Sequence, residues 1–313
     1  MRRKLSICIP AYNRPQWLKR ALKSIISQDI LEEIEIIVTD DSSDEECHQV
    51  TNEVLENWLG QWMYEFNQPR LGMTENWNHS LKLASGEYVL VLHDDDFLLV
   101  NSLKVILETI EQYQNKYAVF LFGVNVVDEQ EQVLKQQTFK QPQYLSPKQA
   151  LIRLLSNSSF VRFPAIVFQR QVLEEVGYFN PVWAEPTDLD MWIRLFSRYG
   201  VMCLPDVTCA YTVHSQALTM GVFNEKTIRT LLDIFAQVDV LSKDELEQCK
   251  ATFFHQFILA GAFRKLRRGQ LQEFTQVMQL FELSELQGLK CPSKWLLLRW
   301  VFEVLAKLSF SLF

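Results

Sequence analysis

Residues 89–99 read VLVLHDDDFLL: four apolar residues, a histidine, three successive aspartates and an apolar continuation. The run Glu87–Leu92 does not alternate between apolar and polar, which predicts a strand buried on both faces, as in a parallel sheet covered by helices. Asp94, Asp95 and Asp96 therefore emerge at the rim of a packed sheet, partly dehydrated and repelling one another. Two readings follow. The acids cap the next helix from a solvated loop, or they are hard oxygen ligands for a divalent cation such as Mg2+ or Mn2+, whose shell substrate phosphates complete.

Short apolar runs and helix-periodic segments alternate outward from this stretch. Strands are predicted at Lys4–Pro10, Glu35–Thr39, Met63–Phe66 and Ala118–Phe122, and helices at Pro15–Gln28, Thr74–Ala84 and Asn101–Tyr113. Pro15 suits a first helical turn with Asn13 as its cap. Such β-α alternation implies an α/β fold with a mainly parallel sheet flanked by helices, binding its ligand beyond the carboxyl ends of the strands. Asp40 and Asp41 end the second strand as Asp94–Asp96 end the fourth. Either acid of the first pair can cap a helix or accept a hydrogen bond from a nucleotide base. The chain has neither GxGxxG nor GxxxxGK[ST], so a nucleotide would be held by acids, metal and loop backbone.

Beyond Asn125 the alternation loosens. A hairpin is predicted over Val126–Val133, strands at Pro164–Phe168 and Thr208–Val213, and a helix at Asp188–Tyr199. After Asn224 the pattern is helical throughout, over Thr227–Val240, Lys243–Arg267 and Leu271–Phe281. This divides the chain into a domain of residues 1–220 and an α-helical C-terminal region of 221–313.

Composition narrows the function. The 313 residues are 48% hydrophobic with a net charge of -7, so no global basic field recruits nucleic acid. Six cysteines without a CxxC pair read as buried reduced thiols, and MRRKLSICIPAYNRP lacks a signal-peptide core, which together point to the cytoplasm. The final stretch WLLLRWVFEVLAKLSFSLF (Trp295–Phe313) carries Arg299, Glu303 and Lys307 at i, i+4 spacing. That many charges argue against a membrane span. The stretch reads either as a helix docked on protein or as one lying peripherally at the inner face of the cell membrane.

Four segments then combine: SICIPAYNRPQWLKRALKSIISQ (6–28), EIIVTDDSSDEE (35–46), LGMTENWNHSLKLASGEYVLVLHDDDFL (71–98) and TDLDMWIRL (187–195). In this order and spacing they resemble the family 2 glycosyltransferases of the GT-A fold, over roughly residues 4–220. The resemblance implies that Pro10, Tyr12, Asn13 and Arg14 lie near the nucleotide, that Asp41 contacts the base, and that Asn78 and Gly86-Glu87-Tyr88 match a further donor motif. His93–Asp96 align with the metal motif. There Asp95 would face the ribose and Asp96 would bind the metal on the diphosphate, with Asp94 at the variable position of the metal-site acids. Asp188 inherits the general base role, and His214 can approach the metal or diphosphate or be structural. Three positions depart from the pattern: His93 replaces an acid, Trp77 stands where Arg is frequent, and Thr187 replaces the Glu before the base. The implied activity is metal-dependent inverting transfer, with Mn2+ or Mg2+, of a sugar from a UDP- or dTDP-sugar donor to a glycan or lipid-linked acceptor in surface polysaccharide synthesis. A non-catalytic GT-A domain that binds nucleotide or glycan is the alternative. A pyrophosphorylase would need a glycine-rich basic loop that PAYNRPQWLKR does not provide.

Overall fold

The computed structural model describes residues 3–28, 30, 32–113, 116–214 and 223–310. Its centre is strand β1 (Leu5–Ala11), buried at every residue. β1 pairs in parallel with β2 (Ile34–Asp40) on one side and β4 (Tyr88–Val91) on the other, and β3 (Gln61–Phe66) adds in parallel outside β2. The connections are α1 (Pro15–Ile26), α2 (Glu46–Leu55) and α3 (Met73–Leu83). Helix α1 buries Leu18, Ala21, Leu22 and Ile25, the i, i+3, i+4, i+7 stripe that lets a helix cover a sheet. Pro15 begins α1, but Asn13 does not cap it. Asn13 sits at φ 52, and its Oδ1 accepts instead from the Ser43 N–H at 2.9 Å.

Beyond β4 the sheet becomes mixed. β9 (Ile166–Gln169) enters antiparallel between β4 and β6 (Val119–Val127), so the fifth predicted strand is not a parallel neighbour of the fourth. β6 then pairs in parallel with β10 (Val201–Thr212), giving the order β3-β2-β1-β4-β9-β6-β10-β5, where β5 is Phe97–Leu98. β7 (Val133–Gln137) completes the predicted hairpin on β6, and β8 (Gln143–Leu145) flanks β10. β5 pairs antiparallel with β10, and the Leu99 N–H donates to Thr208 O at 3.0 Å. Residues 93–96 are thus pinned between the ends of β4 and β10, which creates the rim of the site.

The remaining helices are α4 (Ser102–Gln112), α5 (Pro147–Leu155), α6 (Val172–Val176), α7 (Thr187–Tyr199), α8 (Glu225–Ala236), α9 (Lys243–Arg267), α10 (Leu271–Gln279) and α11 (Ser293–Phe310). A Ser242–Glu245 capping box starts α9. α9 is joined to the α5 region through Lys148–Glu245 at 2.7 Å and Gln256–Asn157 at 3.2 Å. The buried apolar residues of sheet and C-terminal helices form one cluster. The boundary expected near residue 220 lies outside the described residues.

Helix α11 turns Arg299 toward the protein. Arg299 bonds Glu303 at 2.7 Å and lies 2.8 Å from His255 Nε2, with its guanidinium over Phe281. Its outer face is Leu296, Leu297, Trp300, Val301 and Val304, with Trp300 61% and Leu297 73% exposed. Among the described residues no helix is long and apolar enough to cross a membrane. All six cysteines are free, and five of them are buried.

Candidate active site

The aspartate motif is organised by β1 and α1. Asp94 accepts from the Tyr12 N–H at 3.0 Å and from Arg14 Nη1 at 3.3 Å. Burial, followed by the charge of Asp95, pushes its carboxyl up to about 7. Asp95 accepts from Arg14 Nη1 at 2.6 Å and from His214 Nε2 at 2.8 Å. A carboxylate only accepts, so the second bond places a proton on Nε2. Burial works to raise Asp95, but the His214 bond and the positive surroundings outweigh it and hold the carboxyl low. Asp96 is buried. Its Oδ1 accepts from the Thr212 N–H at 2.8 Å, while Oδ2 has no hydrogen-bond partner among the described residues. Burial and Asp95 raise its carboxyl well above the ordinary range.

His93, Asp95 and Asp96 each offer a ligand atom within 4.8 Å of the others. Asp94 and His214, expected at the metal, lie outside this group: Asp94 holds the Tyr12 backbone and Arg14, and His214 braces Asp95. His93 takes their place. Burial pushes its pKa down to about 4, and its Nε2 has no partner among the described residues. A neutral imidazole and an underbonded carboxylate fit a divalent cation, because a buried oxygen without a donor is costly unless something positive meets it. Sequence reasoning also missed Arg20, whose Nη2 donates to Asp95 O at 2.5 Å and Thr212 Oγ1 at 2.9 Å. Its signal was there to read. Trp17, Arg20 and Ser24 share one stripe of α1, and the Leu98 N–H donates to Ser24 Oγ at 3.0 Å.

The second acid cluster faces the loop before α3. Asp41 accepts from the Leu71 N–H at 2.7 Å, the Gly72 N–H at 2.9 Å and Asn67 Nδ2 at 3.2 Å. Asp40 is committed to Tyr64 Oη at 2.6 Å and the Ser42 N–H at 2.9 Å. Tyr12 is 45% exposed, and the Arg70 guanidinium lies 4.6 Å from its ring centroid, making an open aromatic platform beside Asp41. Pro10 is buried within β1. Asn78 is likewise committed: its amide pairs with both the N–H and the C=O of Phe179, at 2.9 and 2.8 Å. It staples the segment leading to Asp188.

Asp188 stands in the first turn of α7, where its Oδ1 accepts from the Leu189 N–H at 2.7 Å. Burial pushes its carboxyl up to about 6. Thr187, at the position of the missing Glu, is fully buried, and its hydroxyl donates to Asn180 O at 2.9 Å. Asp190 and Arg194 pair at 2.8 Å, and Arg194 also holds the carbonyls of Val176 and Tyr178. A cavity of about 340 Å3 separates Leu71–Glu75 from Pro181, Ala184 and Glu185, and so joins the Asp41 loop to the approach of Asp188. Trp77, where Arg is frequent, packs against His93, Phe163 and Phe179.

A mixed sheet with an acid motif at the carboxyl ends of its central strands and a buried carboxylate in the first turn of α7 is the arrangement of a GT-A glycosyltransferase. The profile of glycosyl transferase family 2 matches residues 6–177, and the chain belongs to that family. It is 30% identical over 199 residues to the GalNAc(5)-diNAcBac-PP-undecaprenol beta-1,3-glucosyltransferase of Campylobacter jejuni, covering 62% of this chain and 60% of that one. An uncharacterised protein of Mycobacterium tuberculosis is 28% identical over 269 residues, covering 80% and 81% of the two chains. In fold, S. aureus TarS in complex with UDP-GlcNAc matches with a TM-score of 0.65 at 18% identity, covering 98% of this chain and 89% of that one. The Pyrobaculum calidifontis mannosyltransferase PcManGT, in complex with GDP-Man and Mn2+, matches with a TM-score of 0.56 at 16% identity, covering 98% and 87%.

Proposed function

We propose that this glycosyltransferase is metal-dependent and inverting, and that it moves a sugar from a UDP- or dTDP-sugar to a hydroxyl of a lipid-linked glycan in surface polysaccharide synthesis. The observation that carries the reading is the buried Asp96 carboxylate, with one bare oxygen beside His93 and Asp95. Mn2+ or Mg2+ bound there would supply Lewis-acid neutralisation of charge on the donor diphosphate. The chain's own groups do the rest. Tyr12, Arg70 and Asp41 receive the base, and Arg14 and Arg20 hold the motif loop. Asp188 takes the proton of the acceptor hydroxyl as it attacks the anomeric carbon. A carboxyl raised to about 6 is suited to that task, being ionised at neutral pH yet more basic than an exposed aspartate. The lipid-linked acceptor is supported by the Campylobacter relative, a GalNAc(5)-diNAcBac-PP-undecaprenol beta-1,3-glucosyltransferase.

The catalytic machinery falls to residues 1–220 and location to residues 221–313. With Lys294 and Lys307 flanking its outward Trp300 and Leu297, α11 suits the inner face of an anionic membrane. Flotation with phosphatidylglycerol vesicles should carry the wild type and not Trp300→Asp; equal flotation removes the membrane contact.

The function is tested by calorimetry with UDP-, dTDP- and GDP-sugars, with and without Mn2+, followed by transfer assays. One uridine or thymidine donor should bind in a Mn2+-dependent way, and Asp188→Asn should bind it equally while losing transfer. No nucleotide binding in any condition sinks the transferase reading. Binding without turnover on any acceptor favours a non-catalytic module.

A further inference from the structure

Three arginines gather where α9 meets the sheet domain. The Arg162 guanidinium lies 4.6 Å from the Tyr211 ring centroid, and Arg264 of α9 lies 5.4 Å from that of Phe223. Arg264 keeps much of its surface open, yet burial of its charged end and the neighbouring charge of Arg162 lower its pKa, with Arg268 adding to the effect. The groups acting on Arg264 include Tyr211 and the other two arginines but no carboxylate. Arg162 Nε is buried and has no hydrogen-bond partner among the described residues. Arginines held close together, with no carboxylate among the described groups acting on Arg264, have the composition of an oxyanion receptor, and guanidinium forks match phosphate geometry.

The location says which substrate would bring the anion. Arg162 acts electrostatically on Asp188, and Tyr211 feels Arg162 and Arg264 as well as Asp96 and Asp95. The cluster therefore sits beside the proposed base. On the donor side, Arg14 and Arg20 already attend the motif loop. We propose that Arg162 and Arg264, with Arg268, form a receptor for a phosphate or diphosphate group carried by the acceptor. This rests on the transferase reading for the identity of the acceptor, but the receptor itself does not. It gives the helical region a direct part in substrate choice, since two of the three arginines come from α9 and its end. An acceptor joined to its lipid by a diphosphate would be held with its hydroxyl near Asp188, whereas a neutral oligosaccharide would not be.

The test uses the full chain and inorganic pyrophosphate as probe, by calorimetry in EDTA buffer, alongside UDP titrations with Mn2+. Arg264→Gln and Arg162→Gln should each weaken pyrophosphate binding roughly ten-fold, the size of a charge-assisted contact. Arg264→Lys should recover part of the loss, and UDP affinity with Mn2+ should stay within about two-fold of wild type. Unchanged pyrophosphate affinity in both Gln variants overturns the receptor. A parallel loss of UDP affinity assigns the arginines to the donor and overturns the acceptor assignment. Arg264 is exposed, so its variant carries the test if Arg162→Gln fails to fold. Failure of the transferase reading would appear separately, as absent UDP binding in the wild type.

Discussion

Glu35 and Asp96 are both buried carboxylates at the ends of strands in one sheet, 5% and 1% exposed, and they live in opposite circumstances. Glu35 is the second residue of β2, at the amino end of the parallel block. Its Oε1 accepts from Ser6 Oγ at 2.5 Å, the Ser85 N–H at 2.7 Å and the Gly86 N–H at 3.1 Å, and its Oε2 meets Arg3 at 2.7 Å. Burial works to raise its pKa, but these bonds more than offset it, and the carboxyl ends up below the ordinary value. Asp96 has one backbone bond and a bare oxygen, and its carboxyl goes the other way. Burial alone is therefore no mark of function. Glu35, which the fold satisfies, is a staple; Asp96, which it leaves short at the carboxyl ends of parallel strands, is the carboxylate that a cation would suit.

The largest test of this contrast is Asp96→Asn. It should lower transfer by about 10^3-fold, as loss of a principal charge-stabilising group does, and abolish the Mn2+ dependence of nucleotide binding seen by calorimetry. The melting temperature should hold or rise, because a buried, underbonded charge has been removed. EDTA should reproduce the loss in the wild type. Glu35→Ala is the mirror case. Stripping a buried charge from Arg3 and four further donor groups should cost about 3–5 kcal/mol in urea unfolding, while the folded fraction binds nucleotide as the wild type does. If Glu35→Ala leaves stability unchanged, the staple reading fails.

pH separates the two ends further. The raised pKa of Asp188, about 6, means that the proposed base is lost as pH falls through that value. kcat/KM should then drop about ten-fold per pH unit below it. Glu35 has a lowered pKa, so its contribution to stability is present above its unfolded value and is lost only as pH falls through the still lower folded value. Between pH 7 and about 5, activity should fall while unfolding free energy keeps the Glu35 contribution. An activity profile flat across this range would remove Asp188 from the base role.

What the sequence makes legible is whatever depends on chain position and periodicity. The unbroken apolar run before His93 marks a buried parallel strand, and the spacing of Leu18, Ala21, Leu22 and Ile25 marks the face of α1. What depends on partners distant in sequence is not legible. The antiparallel entry of β9, the commitment of Asn78 to Phe179 101 residues away, and the inward turn of Arg299 toward His255 all come from tertiary contacts. The three aspartates show it most sharply. Their identity is the same, but Asp94 meets the Tyr12 backbone, Asp95 meets Arg14 and His214, and Asp96 meets only Thr212. Adjacent carboxylates on a turn point in different directions, and only the packed neighbours decide which one is left short.

The smallest effect sharpens the same point at the Glu35 end. Ser6→Ala removes one hydroxyl from Glu35 Oε1, yet that oxygen keeps the Ser85 and Gly86 N–H donors. The Gly86 N–H, which donates to Ser6 Oγ at 2.8 Å, retains Glu35 as its second acceptor. No buried group is left without a partner, so the cost should be that of one net hydrogen bond, about 1 kcal/mol, read as a shift in the urea midpoint at constant slope. The alanine Cβ occupies the place of the serine Cβ, so the close approach of Gly86 to Ser6 is not disturbed. A loss above about 3 kcal/mol would mean that Glu35 depends on a single donor. It would then resemble Asp96 with its single backbone bond, and redundancy of partners would no longer be what distinguishes the structural carboxylate from the functional one.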